Sequence, residues 1–163
     1  MRMVRHKFVS YDPEKCVGCR VCEYVCSLEK KKAFNPTLSR IRTLRIYPNT
    51  NASVTCRLCE DAPCVIACPR KALGQSKENG VIIVDKDKCN GCGWCIEACD
   101  FGAISLDPDT KTVVLCDLCD GDPKCVKWCP EKALELSSKD IIAQKARIDA
   151  VAKLTKAALE AKT

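Results

Sequence analysis

The chain has a single histidine, His6, and only eight aromatic residues among its 163: three Phe, three Tyr and two Trp. No Ser–His–Asp or Cys–His arrangement is available for nucleophilic catalysis, and no glycine-rich phosphate loop occurs. Eight aromatics are a thin supply for an ordinary apolar core. No uninterrupted apolar stretch approaches the ~18 residues of a membrane span, so no direct span is expected. The first fifteen residues, MRMVRHKFVSYDPEK, are charged and hold no apolar run of leader length. Export on this N-terminus is therefore not expected, and a reducing, cytoplasmic compartment is; carriage by a partner with its own signal is the remaining route out.

What is abundant is cysteine, with sixteen residues. Small chains short of apolar surface are commonly held together by disulfides or metal, and a reducing compartment argues against eight disulfides. The cysteines form four quartets: Cys16, Cys19, Cys22 and Cys26; Cys56, Cys59, Cys64 and Cys68; Cys89, Cys92, Cys95 and Cys99; Cys116, Cys119, Cys125 and Cys129. Their internal gaps are 2-2-3, 2-4-3, 2-2-3 and 2-5-3, so normal and stretched quartets alternate in an internal repeat.

Structural zinc commonly takes two separated C-x2-C knuckles, or histidine. Here three cysteines crowd into seven residues and His6 lies outside every quartet. The run C-x2-C-x2-C-x3-C is instead the one bacterial-type ferredoxins use for [4Fe–4S] clusters, in which the fourth cysteine ligates the other cluster of a pair. Three cysteines wrap a loop around one cubane face, and the helix that follows carries the fourth away. Gly18 and Gly91 suit a loop whose backbone approaches sulfur closely. Sixteen thiolates fit four [4Fe–4S] clusters with every iron ligated. No iron is left open for substrate or for radical-SAM chemistry. Four such clusters at roughly −2 apiece, −8 in all, turn the formal +6 into about −2. The basic balance is thus no sign of nucleic-acid binding, and no aromatic or groove-reading element accompanies it.

Short strands are expected at KFVSY (7–11), LSRIRTLRIY (38–47), GVIIVD (80–85), and AISLD (103–107) returning to TVVL (112–115). Helical turns are expected in VIACPRKAL (65–73) and VKWCPEKAL (126–134), broken by Pro69 and Pro130. Asp12-Pro13 and Asp85 to Asp87 read as turn formers ahead of quartets. Over 139–161 an amphipathic helix is expected from Ile141, Ile148, Val151, Leu154 or Thr155, Ala158 and Leu159, with Ser137 and Asp140 spaced as a capping box. It either packs on its own domain or docks on a partner or second copy. Trp94 and Trp128, each just before a cysteine, read as shields that exclude water from a cluster, or as aromatic relays. Lys30 to Lys32, Arg40, Arg42 and Arg45 form a basic stretch, either a solvated surface or a dock for an acidic partner. On a 38–47 strand, Arg40 and Arg42 would share a face opposite Arg45.

Clusters that exchange ligands must come in pairs of quartets. The intervals between quartets are 29, 20 and 16 residues, compatible with nested or consecutive pairing. The four quartets with their alternating stretch, across roughly 5–135, resemble the four-cluster, ferredoxin-like electron-transfer subunits found with dimethyl sulfoxide reductase, formate dehydrogenases, membrane hydrogenases, carbon monoxide dehydrogenase and tungsten aldehyde oxidoreductases. Pro69 and Pro130 match that family's Cys-Pro; Ser27 and Asp100 depart from it.

The resemblance implies nested pairing. Cys16, Cys19 and Cys22 would share a cluster with Cys129; Cys116, Cys119 and Cys125 with Cys26; Cys56, Cys59 and Cys64 with Cys99; Cys89, Cys92 and Cys95 with Cys68. Some relatives have Trp at the position of Cys92 and hold three irons; here a fourth is expected. The implied fold is α+β: two nested dicluster ferredoxin units over 1–136 (outer 1–53 with 108–136, inner 54–107), then a C-terminal helix over 137–163. The implied role is a non-catalytic subunit passing single electrons between a large catalytic redox subunit and an external carrier such as a ferredoxin or flavoprotein. SLEKKKAFNPTLSRIRTLRI after the first quartet is similar to small subunits of tungsten-type aldehyde oxidoreductases and carbon monoxide dehydrogenases. A tungsten-pterin partner therefore ranks ahead of a molybdenum one. The alternatives are a diffusible polyferredoxin, a self-assembling multi-cluster wire, and a self-contained reductase.

Overall fold

A computed structural model describes residues 6–46 and 50–160, the last five as backbone alone. Four antiparallel strand pairs carry the cysteine loops: β1 (Phe8–Tyr11) with β8 (Leu134–Ser137), β2 (Arg42–Ile46) with β3 (Thr50–Val54), β4 (Leu73–Gln75) with β5 (Ile82–Val84), and β6 (Ser105–Leu106) with β7 (Val113–Val114). Five helices complete the order: α1 (Val21–Lys31), α2 (Pro63–Ile66), α3 (Trp94–Glu97), α4 (Lys124–Lys127) and α5 (Lys139–Glu160). This is the small α+β arrangement expected.

Each of the first four helices begins one residue before the third cysteine of a quartet, and buries it. α2 and α4 stop after four residues, ahead of Cys68-Pro69 and Cys129-Pro130, and α3 also stops after four, ahead of Cys99-Asp100. In the first quartet Ser27 replaces proline, and α1 runs on to eleven residues. Ser27 is fully buried and donates its hydroxyl to the Tyr24 carbonyl at 3.0 Å.

The residue before the second cysteine is left-handed in all four quartets: Gly18 at φ 69°, Leu58 at 48°, Gly91 at 69° and Leu118 at 59°. Glycine stands where the loop lies under another segment. A Cβ on Gly18 would meet the Asn51 side chain at 2.5 Å, and one on Gly91 the Lys111 carbonyl oxygen at 2.2 Å. Leucine stands where the loop faces inward: Leu58 and Leu118 are buried in one core cluster with Phe8, Ile41, Ile82, Ile104 and Leu115. The two leucines accept a strained backbone in exchange for buried apolar surface.

Two strand pairs occupy equivalent places. β4 follows the second quartet and pairs with β5, which leads to the third; β8 follows the fourth quartet and pairs with β1, which leads to the first. The same bond closes each pair: Asp85 N–H to the Ala72 carbonyl and Asp12 N–H to the Ala133 carbonyl, both 2.8 Å. Asp12 and Asp85 then make the expected turns, accepting from Glu14 N–H and Asp87 N–H respectively.

Several expectations need correction. Residues 36–38 form a 3-10 turn and the strand starts at Arg42, so Arg40 precedes it and shares no strand face with Arg42; Tyr47 lies outside the described residues. β3 and β8 carry no alternation long enough to be read from sequence. Ser137 is the last residue of β8, not a helix cap, and its buried hydroxyl has no hydrogen-bond partner among the described residues. In α5, Ile142 packs on the core, while Ile148 and Leu154 are 60% and 71% exposed. Beyond its first turns, and through residue 155, the described side chains of this helix are exposed. Among the described residues no helix is long and apolar enough to cross a membrane.

Candidate metal centres

All sixteen cysteines are free thiols, and each quartet is split between two places. One cavity is lined by Cys89, Cys92, Cys95 and Cys68, a second by Cys56, Cys59, Cys64 and Cys99, and a third by Cys16, Cys19, Cys22 and Cys129. The spaces among the lining atoms are about 310, 410 and 330 Å3, open mouths included. In each, three thiols come from one loop and the fourth from the end of a helix in another quartet. The remaining four gather where α1 packs on α4: Cys116 lies within electrostatic reach of Cys26, and Cys125 within reach of Cys116, Cys119 and Cys26.

Among the described residues no three His, Cys, Asp or Glu side chains converge closely enough for a single ion. The thiols stand around a space rather than at a point, which fits a polynuclear cluster better than tetrahedral zinc. The donors also fit. Cys68 accepts from Ala72 N–H at 3.2 Å and Cys129 from Ala133 N–H at 3.3 Å, both four residues on, as the chain turns back after Cys-Pro. Without proline, Cys26 accepts instead from the distant Arg40 N–H, also at 3.3 Å. Burial would raise the Cys68 thiol, but backbone N–H groups of the following turn outweigh it and hold it below the usual thiol range. Burial pushes Cys56 and Cys64 up to about 11 and Cys116 up to about 12, and it raises Cys125 as well. Loading metal on those thiols must displace protons.

Charge interactions between cysteines link the four sets pairwise. Cys125 feels Cys22, which joins the Cys16 set to the Cys116 set. Cys116 feels Cys56, and Cys64 feels Cys95, which join the Cys56 set and then the Cys89 set. These links run from the Cys16 set through the Cys116 and Cys56 sets to the Cys89 set.

Polar side chains that sequence reasoning did not single out hold these loops. Gln75 donates to the Cys59 carbonyl at 2.7 Å, and Asn51 to the Cys16 carbonyl at 3.0 Å. Thr43 and Ser53, facing each other across β2 and β3, reach the sulfurs of Cys22 and Cys16. Asp117 takes Lys30 at 2.8 Å and Arg40 at 2.6 Å, and receives Cys119 N–H at 3.1 Å. Lys31 pairs with Asp107, so half of the basic stretch is spent on internal ion pairs rather than on solvent or a partner. Trp94 lines the Cys89 cavity but is 64% exposed, and Trp128 is 66% exposed.

Comparison with known proteins agrees with this chemistry. Residues 49–139 match the family described as 4Fe-4S dicluster domain. The chain is 44% identical to the polyferredoxin-like subunit of an aliphatic sulfonate oxidoreductase from Pyrococcus furiosus, over 73% of this chain and 69% of that one. It is 39% identical to the putative electron transport protein YsaA of Escherichia coli, over 80% of this chain and 88% of that one. It is 33% identical to the thiosulfate reductase electron transfer subunit PhsB of Salmonella typhi, over 80% and 74%. Four cysteine quartets, their thiols gathered around cavities, and these relatives place the chain in the 4Fe-4S dicluster family of ferredoxin-like electron-transfer proteins.

Proposed function

We propose that the sixteen cysteines hold four [4Fe–4S] clusters in the order given above, with Cys129, Cys26, Cys99 and Cys68 each completing the set of another quartet. The observation that carries this is the lining of the three cavities, each by three thiols of one loop and one from elsewhere. The matching roles of β4–β5 and β8–β1 support two nested units, an inner one over 54–107 and an outer one over 1–53 with 108–136. In the outer unit the strand pair is made from the two ends of the domain, so the first and last quartets meet.

Bound clusters supply one-electron exchange at low potential. The chain's part is to fix their order, bury the inner sets, and direct N–H and O–H groups at the sulfurs. It carries no catalytic machinery of its own, and it serves a large catalytic redox subunit and an external carrier. The names of the Pyrococcus and Salmonella relatives support a catalytic partner; a tungsten-pterin enzyme of aldehyde oxidoreductase type in the cytoplasm remains the first choice. The diffusible polyferredoxin is the second reading, favoured by the relative named only as an electron transport protein.

Native anaerobic purification tests both. A large subunit carrying tungsten or molybdenum should co-elute with the chain. Elution of a cluster-loaded 18 kDa species alone would favour the diffusible form.

A further inference from the structure

The two ends of the proposed order are built alike but lined differently. At each end a strand pair lies over the cysteine loop. β2–β3 covers Gly18 through Asn51, and the segment between β6 and β7 covers Gly91 through the Lys111 carbonyl. At the Cys89 end the strand residue facing the cavity is Val113. At the Cys16 end the corresponding residues are Thr43 and Ser53. Thr43 Oγ1 lies 3.3 Å from Cys22 Sγ, Ser53 Oγ lies 3.9 Å from Cys16 Sγ, and the two hydroxyls are 3.5 Å apart. Both residues are buried. Among the described residues no other hydroxyl is within hydrogen-bond reach of a cysteine sulfur. A thiolate bound to a cluster would only accept, so in a bond between either hydroxyl and a sulfur the hydroxyl would be the donor.

Thr43 is held in place from behind. Its N–H donates to Glu23 Oε1 at 2.6 Å, and Glu23 is a buried carboxylate next to Cys22 in α1, with Arg20 Nε 4.0 Å away. A donated hydrogen bond stabilises the more negative, reduced state of the group that the sulfur ligates, whereas a buried carboxylate beside it does the reverse.

We propose that Thr43 and Ser53 are positioning residues that raise the reduction potential of the terminal Cys16–Cys19–Cys22–Cys129 site, with Glu23 as the counterweight. One end of the relay is thereby tuned independently of the other. The proposal rests on the ligand sets proposed above.

The test is an anaerobic redox titration of the full, cluster-loaded chain with its iron content measured alongside. Thr43→Val should lower one midpoint and leave the others in place. Loss of one charge-assisted bond is about tenfold in that step's equilibrium, or about 59 mV for a one-electron couple. Ser53→Ala should move the same midpoint by less, Thr43→Ser should restore it, and Glu23→Gln, which keeps the acceptor for Thr43 N–H, should move it upward. The midpoint concerned should be the one that Cys19→Ser perturbs. Full iron with no midpoint moved, or with all moved together, overturns the tuning and leaves the ligand sets standing. A wild-type chain that never loads four clusters, or a Cys19→Ser variant with every midpoint intact, overturns the ligand sets and the tuning with them.

Discussion

Asp117 shows how one side chain can join the two ends of the cluster domain. It follows the first cysteine of the last quartet, yet it is bound by Lys30 of α1 and by Arg40. Burial would raise its carboxyl, but the hydrogen bond from Lys30 and the charge of Arg40 outweigh that and hold it below the usual carboxylate range. A depressed carboxyl contributes stability that is present above the unfolded value of about 3.9 and is lost as pH falls through the folded value. Asp117→Asn should therefore cost on the order of 2 kcal/mol at neutral pH. The difference from wild type should shrink as pH falls below the unfolded value of about 3.9 and vanish below the depressed folded value, read as resistance to denaturant at each pH. The cysteines themselves were legible because their spacing is chemistry written in one stretch of chain. Asp117, Thr43 and Ser53 were not, because their partners lie 77, 21 and 37 residues away.

Helices α1 and α2 end differently after their quartets. After α2 the chain turns Ala72 N–H back onto the Cys68 sulfur; α1 continues past Cys26-Ser27, and that extension carries Lys30 and Lys31 to Asp117 and Asp107. Ser27→Pro would restore the family's Cys-Pro, yet should destabilise the chain by about 3 kcal/mol by breaking α1. Circular dichroism and thermal melting check it; a variant as stable as wild type would mean that the extended helix is dispensable. The departure at Ser27 was visible in sequence, but its consequence needed the distant acids. At the other end, α5 was legible from its period, though not its isolation. An exposed helix with few tertiary contacts contributes little to the fold. Truncation after residue 149, which keeps Ile142 and the Lys145–Glu135 pair, should leave iron content unchanged and stability within about 0.5 kcal/mol.

At the scale of the molecule the stretched quartets have a structural place. The second and fourth quartets each precede the strand that pairs with the lead-in to a normal quartet, and each offers a leucine, Leu58 or Leu118, to the shared core. The alternation of gaps was plain in the sequence, but spacing alone left nested and consecutive pairing both open. The cavities lined by Cys129 with the first quartet, and by Cys99 and Cys68 within the middle two, favour nesting. The most direct measurement counts iron, labile sulfide and electrons on the anaerobic full-length chain. Four interleaved sites require about sixteen iron, about sixteen sulfide and about four reducing equivalents per chain. A fully loaded chain with about eight iron and two electrons, or with about four zinc in their place, would contradict them.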